Sequence, residues 1–159
     1  MKMTGFGDFL VRLSPPGYQR FLQAKSFDIN YTGAEANACV ALAHMGVPTE
    51  FVTRLPQNEI AYAAIGELRK HGVDTGKIVF GGDRIGVFYL EKGAAQRPSR
   101  IVYDRKYTSV AESIPEHYDW KTIFSGSSWF HITGITPALS PTMPSVCLDA
   151  CRTAHEMGL

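Results

Sequence analysis

The amino-acid sequence predicts an α/β fold, a mostly parallel central sheet into which a second pair of β-strands has been inserted. Three observations lead there. Between residues 34 and 72 a small-residue helical run, a short apolar strand and an amphipathic helix follow one another, the order of a parallel sheet with crossover helices. The pattern then switches to two β-rich runs, Ile85 to Glu91 and Ser99 to Asp104, joined by a hairpin-length connection. A strand-like run from Trp129 to Thr133 and a final striped helix return to the α/β order.

Each element follows from local chemistry. The run Phe9 to Leu13 reads as the end of one leading strand, closed by Ser14-Pro15-Pro16-Gly17, which neither a helix nor a central strand can absorb. Residues Tyr18 to Tyr31 alternate loosely, with Phe21, Phe27, Ile29 and Tyr31 as one face of an expected hairpin. From Ala34 to Met45 alanines and other small residues favour a helix packed close to its neighbour, stopped at Gly46-Val47-Pro48. Thr49 to Thr53 is a short strand. Asn58-Glu59 opens a helix with Ile60, Ala61, Ala64, Ile65 and Leu68 on its apolar face, and Gly72 ends it. The last helix starts near Thr142, carries Val146, Cys147, Ala150, Cys151 and Ala154 as its stripe, and is capped at Gly158. A βα unit needs a following strand to bury such a helix, so the chain is expected to stop in mid-fold.

Composition narrows the class of function. The 159 residues suit one average domain, and 45% are hydrophobic against 19% charged, which excludes a disordered chain. A net charge of +1 provides no broad field for nucleic acid or an anionic membrane. No stretch approaches the ~18–20 uninterrupted apolar residues of a membrane span. Three cysteines cannot all pair and no secretory leader opens the chain, so a cytoplasmic location is expected.

Several motifs invite chemistry. Gly5-Phe6-Gly7-Asp8 fails as a dinucleotide fingerprint, since no third glycine follows and the next residues are β-prone; it reads instead as a tight turn by the first strand, with Asp8 facing either a ligand or the turn. Cys147, Cys151 and His155 recur every four residues, a spacing open to a metal site but equally that of a core-facing stripe. Neither a Gly-x-Ser-x-Gly elbow nor a phosphate-binding Gly-x-x-x-x-Gly-Lys loop occurs, and His44, His71, His117 and His131 stand singly. The densest constellation is Thr32-Gly33-Ala34-Glu35-Ala36-Asn37 at a helix start, joined by Tyr89 on one β-run and by Tyr103 and Arg105 at the end of the next. Helix N-termini attract anions and polar groups, glycine permits close approach, and arginine offers a forked cation to a carboxylate.

The stretch from Thr32 through Asn37 into Ala38-Cys39-Val40-Ala41-Leu42-Ala43-His44-Met45-Gly46 resembles the N-terminal signature of the ribokinase-like (PfkB-type) carbohydrate kinases. Leu68-Arg69-Lys70-His71-Gly72-Val73-Asp74-Thr75 is similar to that family's helix and following turn. The run Tyr89 to Arg100, then Tyr103-Asp104-Arg105 and His131-Ile132-Thr133-Gly134-Ile135-Thr136-Pro137-Ala138-Leu139, resembles the branch that phosphorylates 2-keto-3-deoxygluconate.

The resemblance implies an α/β sandwich with a small β-lid, whose strands fall within about 10–31 and 85–105, all 159 residues forming the N-terminal part of one such domain. It implies substrate contacts at Gly33, Ala34, Asn37, Tyr89, Tyr103 and Arg105, with Arg105 on the acid's carboxylate. Where many members place an Asp for neutral sugar hydroxyls, this chain has Arg12, a departure that favours an acidic substrate. Thr32 stands in place of the first glycine of a pair. The family's Gly-Ala-Gly-Asp motif, which carries the anion hole and general base, does not occur, nor does the nucleotide-binding half. ATP and Mg²⁺ are therefore implied for the family while their binding residues lie outside these 159, and the chain alone is expected to be inactive. The implied partner is a second copy through the lid. Two rival expectations are a non-catalytic oligomerising remnant and the matching half of a fructokinase-like enzyme.

Overall fold

The computed structural model describes residues 1–159. The chain enters through β1 (Met3–Phe6), leaves that sheet through Gly7-Asp8-Phe9, and continues as β2 (Leu10–Ser14) and, after a long loop, β3 (Asp28–Thr32). It then runs through α1 (Ala34–His44), β4 (Thr49–Val52), the short β5 (Arg54–Leu55) and α2 (Glu59–Lys70). After the short β6 (Val79–Phe80) come β7 (Gly86–Glu91), β8 (Arg100–Asp104), α3 (Trp120–Ile123), β9 (Trp129–His131) and α4 (Met143–Glu156).

β1 lies between β4 and β9 and is parallel to both, in register Met3 with Thr49 and Met3 with Trp129. Helices cover both faces, as the strand–helix order predicts. Side chains alternate along β1 and β4, so Met3 and Phe51 join one core with Ala36, Cys39, Ala64 and Leu68, while Phe6 and Val52 join another with Trp120, Phe124, Met143 and Val146. The second core is aromatic: Phe6 meets Tyr118 and Trp120 edge-on at 5.2 and 5.0 Å, and Tyr118 stacks on Trp120 at 4.8 Å. α3 lies in a stretch read from the sequence only as polar; its Asp119 side chain accepts from the Thr122 amide at 3.2 Å.

α1 packs close, as its alanines predict. A Cβ on Gly5 would stand 2.7 Å from the Cys39 sulfur, so the glycine is what lets the helix lie on β1. α2 starts as expected, with Asn58 Oδ1 accepting from the Ala61 amide at 3.0 Å. Gly72, at φ +78°, turns the chain out of it.

Four expectations need correction. The single leading strand is two strands in two different sheets. The break falls at residues 7–9, where Gly7, having no Cβ, leaves room for the buried Glu35 carboxylate against the backbone. The hairpin expected within 18–31 is absent. Only β3 is extended, and it pairs antiparallel with β2, whereas residues before it form turns held by Phe21 N to Glu91 Oε2 (3.0 Å) and Arg97 Nη2 to the Tyr18 carbonyl (2.8 Å). Ile60 is exposed, because the buried stripe of α2 runs through Ala61, Ala64, Ile65 and Leu68. Cys151 is exposed too: the α4 stripe follows Met143, Val146, Cys147, Ala150 and Ala154, leaving Cys151 beyond its edge.

The second sheet runs β3-β2-β7-β8, with β2 and β7 parallel and both edge strands antiparallel. It stands over the start of α1 like a lid. No helix of the molecule is long and apolar enough to cross a membrane.

Candidate functional site

Where β1 gives way to β2, the lid, the start of α1 and the loop after β9 enclose a cleft of about 190 Å³. Gly33 caps α1 with no side chain over its first amides. Its φ of −169° is open to any residue, so space is the constraint: a Cβ would stand 2.1 Å from the Asp8 carbonyl oxygen. The helix start can approach the β1–β2 junction at Asp8 only because residue 33 is glycine.

Glu35, only 2% exposed, fixes the cleft floor. Its Oε1 accepts from the Thr133 amide (3.0 Å), the Thr133 hydroxyl (2.6 Å) and the Thr136 hydroxyl (2.6 Å). A buried carboxylate requires such donors, and these three tie α1 to the β9–α4 loop. Glu35 belongs to the Thr32–Asn37 motif, and the Thr-x-x-Thr spacing at 133 and 136 is the sequence signal for its partners.

Asp8 and Arg105 form the charged centre. Arg105 Nη2 donates to Asp8 Oδ2 at 2.8 Å, and the guanidinium carbon lies 5.5 Å from the Tyr103 ring centroid. Asp8 is 4% exposed, and burial outweighs the arginine, pushing its carboxyl up to about 6. Asp8 Oδ1 accepts no hydrogen bond. Of the two roles left open for Asp8, facing a ligand fits its place in the cleft lining. Gly86 makes room beside this pair, since a Cβ there would stand 2.3 Å from Leu10 Cδ2 and 3.5 Å from Arg105 Cβ.

Of the six residues expected at the site, Gly33, Ala34, Tyr103 and Arg105 gather around the cleft. Tyr89 does not. It pairs with Leu13 and Val102 on the opposite face of the lid, its ring 6.0 Å from Phe27. Phe88 takes the inward position, partnered with Tyr103 at 5.7 Å between rings. Strand alternation counted from Gly86 identifies Phe88, but only once Gly86 is known to face inward beside Leu10. Asn37 also stands aside. Its Oδ1 accepts from Thr32 Oγ1 at 3.1 Å, and it lines a separate cavity of about 110 Å³ with Tyr31 and His71. Thr32 in the first-glycine position thus serves as a donor to the helix.

The arrangement suits a small polyhydroxylated acid: a cation, an aromatic wall, a helix start and a buried carboxylate oxygen with hydrogen-bonding capacity to spare. Residues fit for a metal are another matter. Cys147 is buried and its thiol is pushed up to about 12 by that burial, Cys151 is exposed, and no three His, Cys, Asp or Glu side chains are grouped to hold an ion. These residues therefore do not by themselves seat Mg²⁺.

The family model described as pfkB family carbohydrate kinase matches residues 4–158. The chain is 33% identical to a 2-dehydro-3-deoxygalactonokinase of Haloferax volcanii over 157 residues, covering 99% of this chain and 49% of that protein. The crystal structure of 2-dehydro-3-deoxygluconokinase from Thermotoga maritima superposes with a TM-score of 0.97 at 48% identity, covering 100% of this chain and 49% of that one. A PfkB family carbohydrate kinase from Listeria grayi gives 0.96 at 36%, covering 100% and 50%. The chain spans about half the length of the relatives it matches. A parallel sheet with helices on both faces, a β-lid over a glycine-opened helix and a family match across nearly every residue agree: this chain belongs to the pfkB family of carbohydrate kinases.

Proposed function

We propose that residues 1–159 form the acceptor-binding part of a kinase that phosphorylates a 2-keto-3-deoxy sugar acid, with 2-keto-3-deoxygluconate as the leading substrate. The observation that carries this reading is the Asp8–Arg105 pair at the cleft, in which Asp8 Oδ1 is left without a hydrogen bond. In this reading Arg105 receives the carboxylate, the sugar chain lies along Tyr103 and Phe88, Asp8 Oδ1 accepts a hydroxyl, and the start of α1 at Gly33 and Ala34 donates amides. Relatives named for the gluco and galacto keto acids support the substrate class. Tyr89 and Asn37 act from outside the cleft, on lid and helix packing.

Phosphoryl transfer depends mainly on positioning and charge stabilisation, and this chain supplies the positioning of the acceptor. ATP supplies the phosphoryl group in this family's chemistry. Calorimetric titration of the 159-residue chain with 2-keto-3-deoxygluconate should give saturable binding that Arg105→Ala removes, and a coupled assay should give no ADP release. Absence of binding would overturn the acceptor reading; keto-acid-dependent ADP release would overturn its restriction to the acceptor. Preference for D-fructose in the same titration would favour a fructokinase-like enzyme.

The lid supports a second reading, self-association. Ile29, Leu13, Tyr89 and Val102 form an apolar row across the face of the lid opposite the cleft; Leu13 packs against the first core, while Ile29 is 60% and Val102 54% exposed, and β3 and β8 are open edges. Light scattering after size exclusion should give a dimer or larger; a clean monomer would count against it.

A further inference from the structure

We propose that the outer end of the lid carries a second ligand site, a cavity framed by Arg20, Arg97 and Arg100 that binds a phosphate group, free or as the monoester of a small molecule. The site is separate from the acceptor cleft and does not depend on the acceptor reading.

β7 leaves the cleft past Phe88 and ends at Glu91, while β8 begins at Arg100 and returns to the cleft at Tyr103. Glu91 and Arg100 are register partners at that outer end, three residues and so roughly 10 Å beyond Phe88. There the turns after β2 and the connection from β7 to β8 meet around a cavity of about 190 Å³ lined by Arg20, Phe21, Leu22, Glu91, Arg97 and Arg100. None of these residues lines the acceptor cleft.

Three guanidiniums share this cavity with one carboxylate, and that carboxylate is already engaged. Glu91, 5% exposed, accepts from the Phe21 amide at 3.0 Å through Oε2, and Arg97 Nη1 stands 3.7 Å from its Oε1. Arg97 Nη2 donates to the Tyr18 and Lys92 carbonyls at 2.8 and 3.1 Å. Arg97 and Glu91 thus make a charge-balanced floor that holds the turns after β2 against the β7–β8 connection. Arg20 and Arg100 are different. Both are exposed, and neither enters an ion pair or a side-chain hydrogen bond, although Arg100 stands opposite Glu91 in the strand register. Two positive charges therefore converge on one small cavity with nothing in the protein to offset them. The acceptor cleft, by comparison, is lined by one arginine, itself held by Asp8. Like charges on one cavity repel, and an anion shared between them turns that repulsion into attraction.

The surplus also selects the class of anion. Phosphate carries close to two charges at neutral pH and presents three oxygens to forked guanidiniums, whereas a carboxylate has one charge and two oxygens. Phe21 and Leu22, the latter 97% exposed, give the rim an apolar side that suits the carbon chain of an ester. A phosphate held here bridges Arg20 in the turns after β2 and Arg100 at the start of β8, two stretches distant in sequence.

Calorimetric titration of the 159-residue chain with inorganic phosphate, glycerol 3-phosphate and acetate, at matched ionic strength, tests the site. Phosphate should bind saturably and acetate more weakly by on the order of tenfold; Arg20→Gln and Arg100→Gln should each weaken phosphate by on the order of tenfold, and Arg105→Gln should leave it within about twofold. In hydrogen exchange, phosphate should slow the amides of Gln23 and Ala24, which donate to the Arg20 carbonyl at 2.9 and 3.1 Å, in wild type and not in Arg20→Gln. Tighter binding of glycerol 3-phosphate than of inorganic phosphate would assign an ester as the ligand, and the reverse would assign free phosphate; either sustains the site. Absence of saturable binding, acetate bound as well as phosphate, or unchanged exchange at Gln23 and Ala24 would overturn the proposal. So would loss of phosphate binding in Arg105→Gln with retention in Arg20→Gln and Arg100→Gln, which would place the anion in the acceptor cleft.

Discussion

Replacing Asp8 by Asn separates the two forces acting on that carboxyl. Burial raises its pKa from 3.8 to about 6 in the native state, in spite of an arginine 2.8 Å away. A native pKa above the unfolded one means that the folded protein holds a proton the unfolded chain has released. Stability is therefore greatest below about pH 3.8, falls as pH rises through the interval, and stays lowered above about 6. A shift of roughly two units corresponds to about 3 kcal/mol, and about 2 of these fall between pH 4.5 and pH 7.5. Asp8→Asn has no such titration, and every other ionisable group cancels in the comparison. Urea unfolding of both proteins across that range should show wild type losing about 2 kcal/mol relative to the variant as pH rises. A difference that stays flat, or one that moves in favour of wild type with rising pH, would show that Arg105 and not burial governs the carboxyl and would refute the reasoning.

Three further outcomes follow from the geometry. Gly33→Ala places a Cβ 2.1 Å from the Asp8 carbonyl oxygen, so it should cost roughly 1–3 kcal/mol in urea unfolding and weaken keto-acid binding, because α1 must back away from the cleft. Glu35→Ala removes the acceptor of three hydrogen bonds and leaves the buried Thr136 hydroxyl unpaired; it should destabilise the chain by about 3 kcal/mol, seen as a lower thermal midpoint. Phe88→Ala should weaken keto-acid binding in calorimetry while Tyr89→Ala leaves it within about twofold, since the two residues face opposite sides of the lid.

The sequence made visible what depends on local pattern. The Ala-rich α1, the capped α2 and the paired runs at 85–91 and 99–104 each carry their own periodicity or stop signal, and each is present near its expected bounds. What it hid depends on distant partners. Gly5-Phe6-Gly7-Asp8 marks an interruption by the first strand, but that β2 resumes in a different sheet depends on its partners β3 and β7, far along the chain. Tyr89 is the residue the resemblance implies, yet which of two neighbours on a strand faces the cleft is set by register with β2 and β8, and that register places Phe88 there. Asn37 sits one turn into α1, where it turns toward Thr32 instead of the cleft. Asp8 and Arg105 stand 97 residues apart, and only the fold makes them a pair. The aromatic segment around Trp120 escaped notice because its polar flanks mask a buried turn of helix.

A crystal of this chain soaked with 2-keto-3-deoxygluconate tests the central claim most directly. Density is expected in the cleft between the lid and α1, with the carboxylate within about 2.7–2.9 Å of a guanidinium nitrogen of Arg105 and a hydroxyl on Asp8 Oδ1. A ligand bound elsewhere, or lying in the cleft with its carboxylate turned away from Arg105, would contradict the acceptor-site reading.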